Sequence, residues 1–448
     1  MTARAIDTLA DFVVEASAID IPGRVRERAW DCVLDAIGAA AAGYGQKGSY
    51  AMRRAFERQG GSQPTSIWFH GASSRFAAAA AANAMAATAL DVDDGHRKAA
   101  GHPGVAVVAS AIAASEHVSP NRDEFIAAVV LGLEASVRVA LARNAEHHAS
   151  TVSGRWAGIG AAVAAAKLFE LDRASVANAI LIAEQHAPRV SAAKHHGFSG
   201  SDVKEGIAWS VYAGLEAVPL AKEGFTAYPD AFDQGILYQG ERLIADLDSF
   251  ESIDGLFFKP YACCRWTHAA IDGAVSLVRE REIEPAAIEK ITVRTFEQAV
   301  GLSNRPAPRS ETEAQFSMPF CIALAIQRGP DELLPIDTRR FNDQSVLRLA
   351  ERVEIELDAG FASLFPAFAG AAVTIVHSGR SDSIRVDAPV GDPTNPLSRE
   401  SLAEKFRKLT RHCLRAKRAE DLIRGIYSAE APPASIVASL RTQLSNCG

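Results

Sequence analysis

Apolar residues recur every three or four positions along most of the first half of the chain, a spacing that gathers them on one face of a helix. In residues 8–18, for example, Leu9, Phe12 and Ala16 share such a face. Alanine, the best helix former, is abundant in these segments. The pattern predicts helices at residues 8–18, 21–42, 77–90, 105–116, 122–141, 158–169 and 206–223.

The spacing changes after Lys259, where short segments alternate between apolar and polar residues as β-strands do. Strands are predicted at residues 291–295, 353–357, 373–376 and 384–386, the last two joined by a turn at 378–382. Residues 398–446 return to helical spacing. We therefore predict a mainly α protein with a large all-helical domain built from both chain ends (residues 1–258 with 396–448) and a smaller inserted α+β lid domain (259–395).

The charge balance of the 448-residue chain argues against some partners. The 47 Lys and Arg residues against 54 Asp and Glu residues give a net charge of −7, and no basic run is present, so no nucleic-acid partner is expected. The first residues lack an apolar run after a basic start, and the alanine-rich segment 76–90 is too short and too weakly apolar to span a bilayer. We expect a cytoplasmic protein without membrane contact.

The sequence gives little evidence for a metal site or for a nucleotide-binding site. The chain contains no His-x-His or His-x-x-x-His spacing, and the adjacent His195 and His196 would point in different directions. The six cysteines are irregularly spaced and include no Cys-x-x-Cys pair. P-loop and nucleophile-elbow motifs are absent as well. We expect neither a metal nor an organic cofactor.

Three carboxylates lie within four residues just after the predicted helix 77–90: Asp91, Asp93 and Asp94. Carboxylates this close repel each other unless cations compensate them. The candidates nearby are His96, Arg97, Lys98 and His102. The segment is therefore either a solvated acidic loop that ends the helix or part of a functional site.

His102 stands directly before Pro103, a residue that suits the first turn of a helix. The imidazole is then close to a helix N-terminus, where free N–H groups and the helix dipole favour a bound anion. A histidine beside a bound anion is a candidate for proton transfer. The alternative is that His102 only caps the helix.

Lys204 is expected at the start of the predicted helix 206–223. The helix dipole disfavours a cation there, so either the pKa of Lys204 is lowered or an anion binds beside it. The alternative is an exposed lysine that pairs with Asp202.

Residues 259–268 combine two cations, a phenol, two thiols and an imidazole: Lys259, Tyr261, Cys263, Cys264, Arg265 and His268. Such a combination is typical of a functional loop. The alternative is a hinge between domains with ordinary packing. The two adjacent thiols are expected to be buried and inert.

These segments resemble the MmgE/PrpD family along nearly the whole chain. The resemblance rests on Asp91-Val92-Asp93-Asp94 with His102-Pro103-Gly104, on Val203-Lys204-Glu205-Gly206-Ile207, on Lys259-Pro260-Tyr261 with Cys263-Cys264-Arg265 and His268, and on Ala314-Gln315-Phe316-Ser317-Met318-Pro319. It implies a large helical domain with an α+β lid, an active site in the cleft between them, and a homodimer. It also implies action on a small polycarboxylate without a metal or an organic cofactor.

The resemblance assigns the site residue by residue. The catalytic residues implied are Asp91, His102, Lys204 and His268. The resemblance also places Lys259 in the site, and we expect it to bind the substrate carboxylates together with Arg97, Tyr261 and Arg265, which the resemblance does not assign.

Three positions depart from the dehydratases and decarboxylases of that family. Gly95 stands where they have Thr, Phe320 stands where they have Tyr, and their His-x-Thr motif is shifted and altered here at residues 147–151. Each change removes a hydroxyl or an imidazole from the expected site. Dehydration must protonate a leaving hydroxyl, and decarboxylation must protonate a carbanion in a set place.

Epimerisation needs fewer protic groups, because it only removes and returns one proton next to a carboxylate. We therefore predict a cofactor-free epimerase of a small dicarboxylate such as iminodisuccinate, most like the iminodisuccinate epimerases of the family. The alternative is a dehydratase of 2-methylcitrate type or a related polycarboxylate lyase. A non-catalytic binding protein is a third reading, against which His102, Asp91 and the two lysines argue.

Overall fold

Helices dominate the fold, so the prediction of a mainly α protein is confirmed. A computed structural model describes residues 4–61, 63–148, 150–190 and 201–444. The helices before the α+β region are α1 (Ala5–Glu15), α2 (Gly23–Gly43), α3 (Lys47–Phe56), α4 (Phe76–Thr88), α5 (Gly104–Val118), α6 (Arg122–Ala142), α7 (Ala157–Leu168), α8 (Arg173–Gln185), α9 (Ile207–Lys222), α10 (Gly240–Ile244) and α11 (Glu251–Asp254). Short strands in this part are β1 (Thr65–Ser66), β2 (Ser73–Ser74), β3 (Gly95–His96) and β4 (Leu256–Phe257).

Helix α6 lies in the middle of the helical core. Its first turn is closed by a capping box, in which Asn121 and Glu124 each accept a hydrogen bond from the other's backbone N–H. The helix is long and apolar enough to cross a membrane, but 94% of its apolar window is buried inside the protein. We interpret α6 as a core helix, since such helices have the same length and composition.

Small residues let the core helices approach closely. A Cβ atom on Gly132 of α6 would lie only 2.7 Å from the carbonyl oxygen of Gly160 in α7, so no larger residue fits there. Alanine fills most of the buried positions of α4, α5 and α7. The result is a rigid scaffold beneath the loop that joins α4 to α5.

The α+β region is built around a mixed four-stranded sheet. Its elements are α12 (His268–Glu280), β5 (Ile288–Thr295), α13 (Glu297–Val300), α14 (Glu311–Gln315), α15 (Met318–Arg328), α16 (Gln344–Ala350), β6 (Val353–Leu357), α17 (Ala359–Leu364), β7 (Ala371–His377) and β8 (Arg380–Val386). The strand order is β6-β5-β7-β8, with β5 and β6 parallel and the other pairs antiparallel. Ser378 and Gly379 form the β7–β8 turn, and both have positive φ.

The C-terminal segment returns to the helical domain. It contains α18 (Arg399–Thr410), α19 (Ala416–Tyr427) and α20 (Pro433–Leu440). Leu402 and Phe406 of α18 join the same hydrophobic core as α1–α9, whereas the α+β region has a core of its own. Lys405 also reaches into the helical domain, where Nζ lies 2.5 Å from Asp35 Oδ1 and 2.6 Å from the Val92 carbonyl oxygen.

Candidate active site

A small pocket lies where the loop after α4 meets the α+β region. Arg97, His102 and Glu205 line it from the helical side, and Arg265 and Asp392 line it from the α+β side. Its volume is about 60 Å³, room for two or so water molecules. A polycarboxylate needs more space, so the pocket must widen when such a molecule binds.

Asp91 and Lys259 form a buried ion pair beside this pocket. Lys259 is fully buried, and its Nζ donates to Asp91 Oδ1 over 2.9 Å. Burial alone would raise the pKa of Asp91, but the positive charges of Lys259, Lys204 and His102 outweigh it, so that pKa lies below its ordinary value. Burial alone would lower the pKa of Lys259, but the negative charges of Asp91 and Asp93 together have the larger effect and raise it above its ordinary value.

His102 lies between two carboxylates. Its Nδ1 is 2.7 Å from the Asp94 carbonyl oxygen and 3.2 Å from Asp93 Oδ2, and its Nε2 is 3.5 Å from Asp91 Oδ1. Burial lowers the pKa of the imidazole, but the negative charges around the ring, chiefly that of Asp93, together have the larger opposite effect and raise that pKa to about 10. The backbone N–H of His102 donates to Ser153 Oγ over 3.0 Å. A ring held this tightly is more than a helix cap.

The acidic loop is buried, which excludes the solvated-loop interpretation. Asp93 and Asp94 are both fully buried, and Asp91 is 7% exposed. Asp94 Oδ2 accepts a hydrogen bond from the backbone N–H of Gly104, and a Cβ atom on Gly104 would overlap that carboxylate. Burial, followed by the charges of Asp93 and Asp35, raises the pKa of Asp94 to about 8. Asp94 is therefore a neutral acid at pH 7.

Lys204 lies behind the same loop and is buried, so the exposed pair with Asp202 does not form. Its Nζ donates to the carbonyl oxygens of Thr88 and Ala89 over 3.1 and 2.9 Å, and to Gln315 Oε1 over 3.0 Å. Burial lowers the pKa of Lys204 more than the neighbouring carboxylates Asp91 and Asp93 raise it. Lys204 does not line the small pocket but borders a second cavity of about 440 Å³.

Arg97 and Arg265 share one carboxylate across the domain boundary. Asp392 Oδ1 lies 2.9 Å from Arg97, and Asp392 Oδ2 lies 3.7 Å from Arg265. Arg265 also donates to the backbone carbonyl oxygens of Pro389 and Val390. Both guanidinium groups are thus held at the pocket wall by the segment through which the chain returns to the helical domain.

His268 and Tyr261 do not line the pocket. Nδ1 of His268 is 3.2 Å from Arg265 and Nε2 is 3.1 Å from the Cys263 carbonyl oxygen, so both ring nitrogens are occupied. Burial lowers the pKa of His268 well below its ordinary value. The Tyr261 hydroxyl donates to Asp272 Oδ1 over 2.7 Å. These two side chains therefore lie behind Arg265 and not at the pocket.

The three departures from the family pattern have structural counterparts. A Cβ atom on Gly95 would collide with the ring of Phe257, which occupies that side of the pocket. Phe320 is fully buried and packs edge-on against Phe341. His148 packs against Tyr238, with Nε2 3.0 Å from the Leu237 carbonyl oxygen.

Of the other histidines that the sequence leaves unassigned, His147 does not line the pocket. His147 is half-exposed and lies 3.5 Å from Glu146. His195 and His196 lie outside the described residues.

One group of side chains has the composition of a metal site. One donor atom each from Asp91, Asp93 and His102 lie within 4.8 Å of one another. Lys259 already holds a positive charge 2.9 Å from Asp91, however, and competes with any cation at this place.

Residues 43–48 have a Gly-x-Gly-x-x-Gly spacing, which also occurs in dinucleotide-binding turns. Here the segment joins helix α2 to helix α3, whereas dinucleotide-binding turns follow a strand.

Comparison with known proteins gives consistent matches. The MmgE/PrpD N-terminal domain matches residues 7–239, and the MmgE/PrpD C-terminal domain matches residues 261–426. Human cis-aconitate decarboxylase is 28% identical over 376 residues, covering 79% of this chain and 76% of that protein. The cis-aconitate decarboxylase-like protein oryM of Aspergillus oryzae is 24% identical over 460 residues, covering 94% of each chain. Because the two domain models together cover most of its length, the chain belongs to the MmgE/PrpD family.

Proposed function

We propose that the chain is an enzyme that moves a proton at a carbon next to a carboxylate of a small polycarboxylate, without a metal or an organic cofactor. The observation that carries the proposal is the meeting of Lys259, Lys204 and His102 around Asp91, beside a pocket between the domains. Removing a proton from such a carbon leaves negative charge on the adjacent carboxylate. Fixed cations stabilise that charge in the transition state.

Two groups of the site have pKa values shifted in opposite directions, as an acid and a base require. The pKa of His102 is raised to about 10, whereas burial lowers that of Lys204. In our proposal His102 donates a proton, and Lys204 accepts one after it has lost a proton of its own, a loss that its lowered pKa favours. Arg97, Arg265 and Lys259 hold the substrate carboxylates. Widening of the pocket past Asp91 exposes Lys204 to the substrate.

Epimerisation is the reaction that we favour. Among the described residues that line the pocket, none carries a hydroxyl group. The positions of Gly95 and Phe320, where related lyases have Thr and Tyr, supply no hydroxyl to the pocket either. A leaving hydroxyl would therefore depend on His102 alone, whereas the exchange of one proton needs only His102 and Lys204.

Iminodisuccinate is the substrate that we propose, in agreement with the sequence. It carries four carboxylates, two on each succinyl half. The half that is epimerised is therefore a dicarboxylate. The cations available to one half are Arg97, Arg265 and Lys259.

A polycarboxylate lyase is the second candidate. Both relatives above are named as cis-aconitate decarboxylase or a protein like it. Decarboxylation needs cations for the carboxylates and an acid for the carbanion, and His102 is such an acid. A dehydratase of 2-methylcitrate type would use the same groups.

One experiment separates these reactions. The protein is incubated in D2O with a single diastereomer of iminodisuccinate, with cis-aconitate and with 2-methylcitrate, and the products are followed by NMR. Deuterium at an α-carbon together with inversion supports the epimerase. Loss of carbon dioxide or of water with a new alkene signal supports a lyase. Absence of exchange and of product with all three would refute the proposal, and His102→Gln protein controls for contaminating enzymes.

We further propose a metal-free homodimer in the cytoplasm. Activity is expected to survive exhaustive EDTA treatment, because Lys259 occupies the place where a cation would bind Asp91. Loss of activity that one divalent ion restores would contradict this. Light scattering that gives the monomer mass at assay concentration would contradict the dimer.

A further inference from the structure

Asp93 has no part in the chemistry proposed above, yet its environment is unusual. Its carboxylate is fully buried, and neither oxygen has a hydrogen-bond partner of good geometry among the described residues. The group that faces it is Nδ1 of His102, 3.2 Å from Oδ2. The ionised form of a carboxyl group removed from water in this way is stable only beside a positive charge.

We propose that Asp93 is a positioning residue that holds His102 as an imidazolium with Nε2 directed to the pocket. His102 then donates a proton to the substrate and does not accept one. This inference rests on the proposed function, because it assigns a role within the same site.

The hydrogen-bond geometry determines which ring nitrogen reacts. Nδ1 lies 2.7 Å from the Asp94 carbonyl oxygen, an acceptor that cannot donate, so Nδ1 must carry a proton. The second proton of the imidazolium is on Nε2, which faces Asp91 and the pocket. Nε2 is therefore the atom from which the proton leaves.

The charged groups around the ring favour the imidazolium. The loop after α4 contributes Asp91 and Asp93, while Asp94 is mostly protonated below about pH 8. The chain before α9 contributes Glu205, and Lys259 follows β4 and opposes the charge. Lys204 lies further away, behind Asp91, and contributes a second opposing charge. The two cations are themselves paired or hydrogen-bonded elsewhere, whereas the described contacts of Asp93 leave it only His102.

The protons balance through one turnover. Lys204 is an ammonium at rest, since its Nζ donates three hydrogen bonds. It first loses one proton to water, and the amine so formed takes the α-proton from one face of the substrate and becomes an ammonium again. The imidazolium gives its Nε2 proton to the opposite face of the carbanion and becomes a neutral imidazole, and a proton from water then restores the imidazolium. An imidazole that was neutral at rest would have no proton to give.

An NMR titration of ¹³C-histidine-labelled protein tests the inference without reference to activity. The His102 ring signal is identified by its absence from the His102→Gln protein. In the unmodified protein we expect His102 to stay protonated from about pH 6 to about pH 9, above the ordinary histidine range. A midpoint near the ordinary value in the unmodified protein would overturn the inference even if no variant folds.

Asp93→Asn provides the second arm, because an amide keeps the shape but removes the charge. The His102 midpoint should fall toward its ordinary value near 6.5, so turnover at pH 8 should drop about 30-fold and recover at pH 6. Asp94→Asn is the matched control: it is equally buried in the same loop, but its side chain binds Gly104 and Asp93 is the main anion facing His102, so the His102 midpoint should fall much less than in Asp93→Asn. An unchanged titration and pH profile in Asp93→Asn would contradict the assignment.

The two proposals fail separately. A normal His102 midpoint with measurable turnover would remove the role of Asp93 and leave the proposed function standing. A protonated His102 without turnover on any substrate would support the role of Asp93 and refute the proposed function.

Discussion

Lys259 shows at the scale of one residue how charge organises this site. A fully buried lysine is rare in a folded protein unless an anion pairs with it. Asp91 supplies that anion, and its backbone adopts a positive φ of 52° directly after α4 to place the carboxylate there. The charge of Lys259 thus keeps Asp91 ionised at the edge of the pocket, beside His102.

Replacing His102 by Gln should abolish most of the turnover. The amide keeps part of the hydrogen bonding but cannot donate a proton, so we expect kcat to fall by about 10²–10⁴-fold. KM should change less, because Lys259 and the arginines hold the carboxylates. Steady-state kinetics measure both, and the alkaline limb near pH 10 should disappear.

His412→Gln is the control for this substitution, since His412 is exposed and does not line the pocket. Near-normal turnover and an unchanged pH profile in the His102 variant would return that residue to the role of a helix cap.

Asp94→Asn should change how stability depends on pH. The folded state raises the pKa of Asp94 from 3.8 to about 8, so folding favours the protonated form. The stability that Asp94 contributes is complete below about pH 4 and is lost as the pH rises toward 8. Asn cannot ionise, so the variant does not lose this stability. Between about pH 4 and pH 8 its free energy of unfolding should therefore rise by a few kcal/mol relative to that of the unmodified protein. Denaturant unfolding at pH 5 and pH 8 measures the difference, and a constant difference would contradict the assignment.

The sequence identified the chemical groups of the site but not their connections. Asp91, His102, Lys204 and Lys259 were expected and lie close together, as loop residues with strong charges often do. Burial is not visible in a motif, so the sequence could not distinguish Asp93 from a solvated acid. Asp392 is almost three hundred residues from Arg97, and only the fold brings the two together.

At the scale of elements, the buried pair between α18 and α2 ties the two ends of the helical domain together. Lys405 and Asp35 are both buried, and neither has access to water as a substitute partner. Helix α18 is amphipathic, with Leu402 and Phe406 on the buried face beside Lys405. The pair therefore lies within the interface between α18 and α2.

Lys405→Met should destabilise the protein by about 3–5 kcal/mol, because it leaves the Asp35 carboxylate buried without a counter-charge. Chemical denaturation followed by circular dichroism measures this loss. The double substitution with Asp35→Asn should recover part of it. Lys408→Met is the matched control on the same helix: Lys408 pairs with Asp331 at the surface, so its loss should cost about 1 kcal/mol or less. Equal effects of the two substitutions would contradict the argument.

Before residue 259, helical spacing predicted the long helices except α8, and it also missed α3. Helix α3 was missed because its buried positions include Gly48, Ser49 and Arg53, so it shows no apolar periodicity. Helix α8 was missed because its apolar residues run together in the sequence, as they do in a helix buried on several sides. The hairpin turn was expected at 378–382, but strand β8 resumes at Arg380, since two residues with positive φ suffice for the turn.

At the scale of the whole molecule, the pocket depends on contacts between the two regions. Arg97 comes from the helical side, Arg265 comes from the α+β side, and Asp392 binds both. Any displacement of one region against the other changes the spacing of the two guanidinium groups.

Asp392→Asn should therefore weaken substrate binding. A charge-assisted hydrogen bond contributes about 1.5–3 kcal/mol, so we expect KM to rise about tenfold or more while kcat changes less. Asp387→Asn is the control in the same segment, because Asp387 binds only the exposed Arg385 among its described contacts. A KM that rises equally in both variants would show that the charge of the surface, and not the bridge, is responsible.

The Lys405–Asp35 pair also has a consequence for protein synthesis. The two residues are separated by 370 positions, and the entire α+β region lies between them. On the ribosome, α2 emerges long before α18 is synthesised. Until then the helical domain is incomplete, because the face of α2 that packs against α18 is uncovered. The α+β region is complete in sequence earlier and can fold first. The first-made part of the chain is thus the last to finish folding.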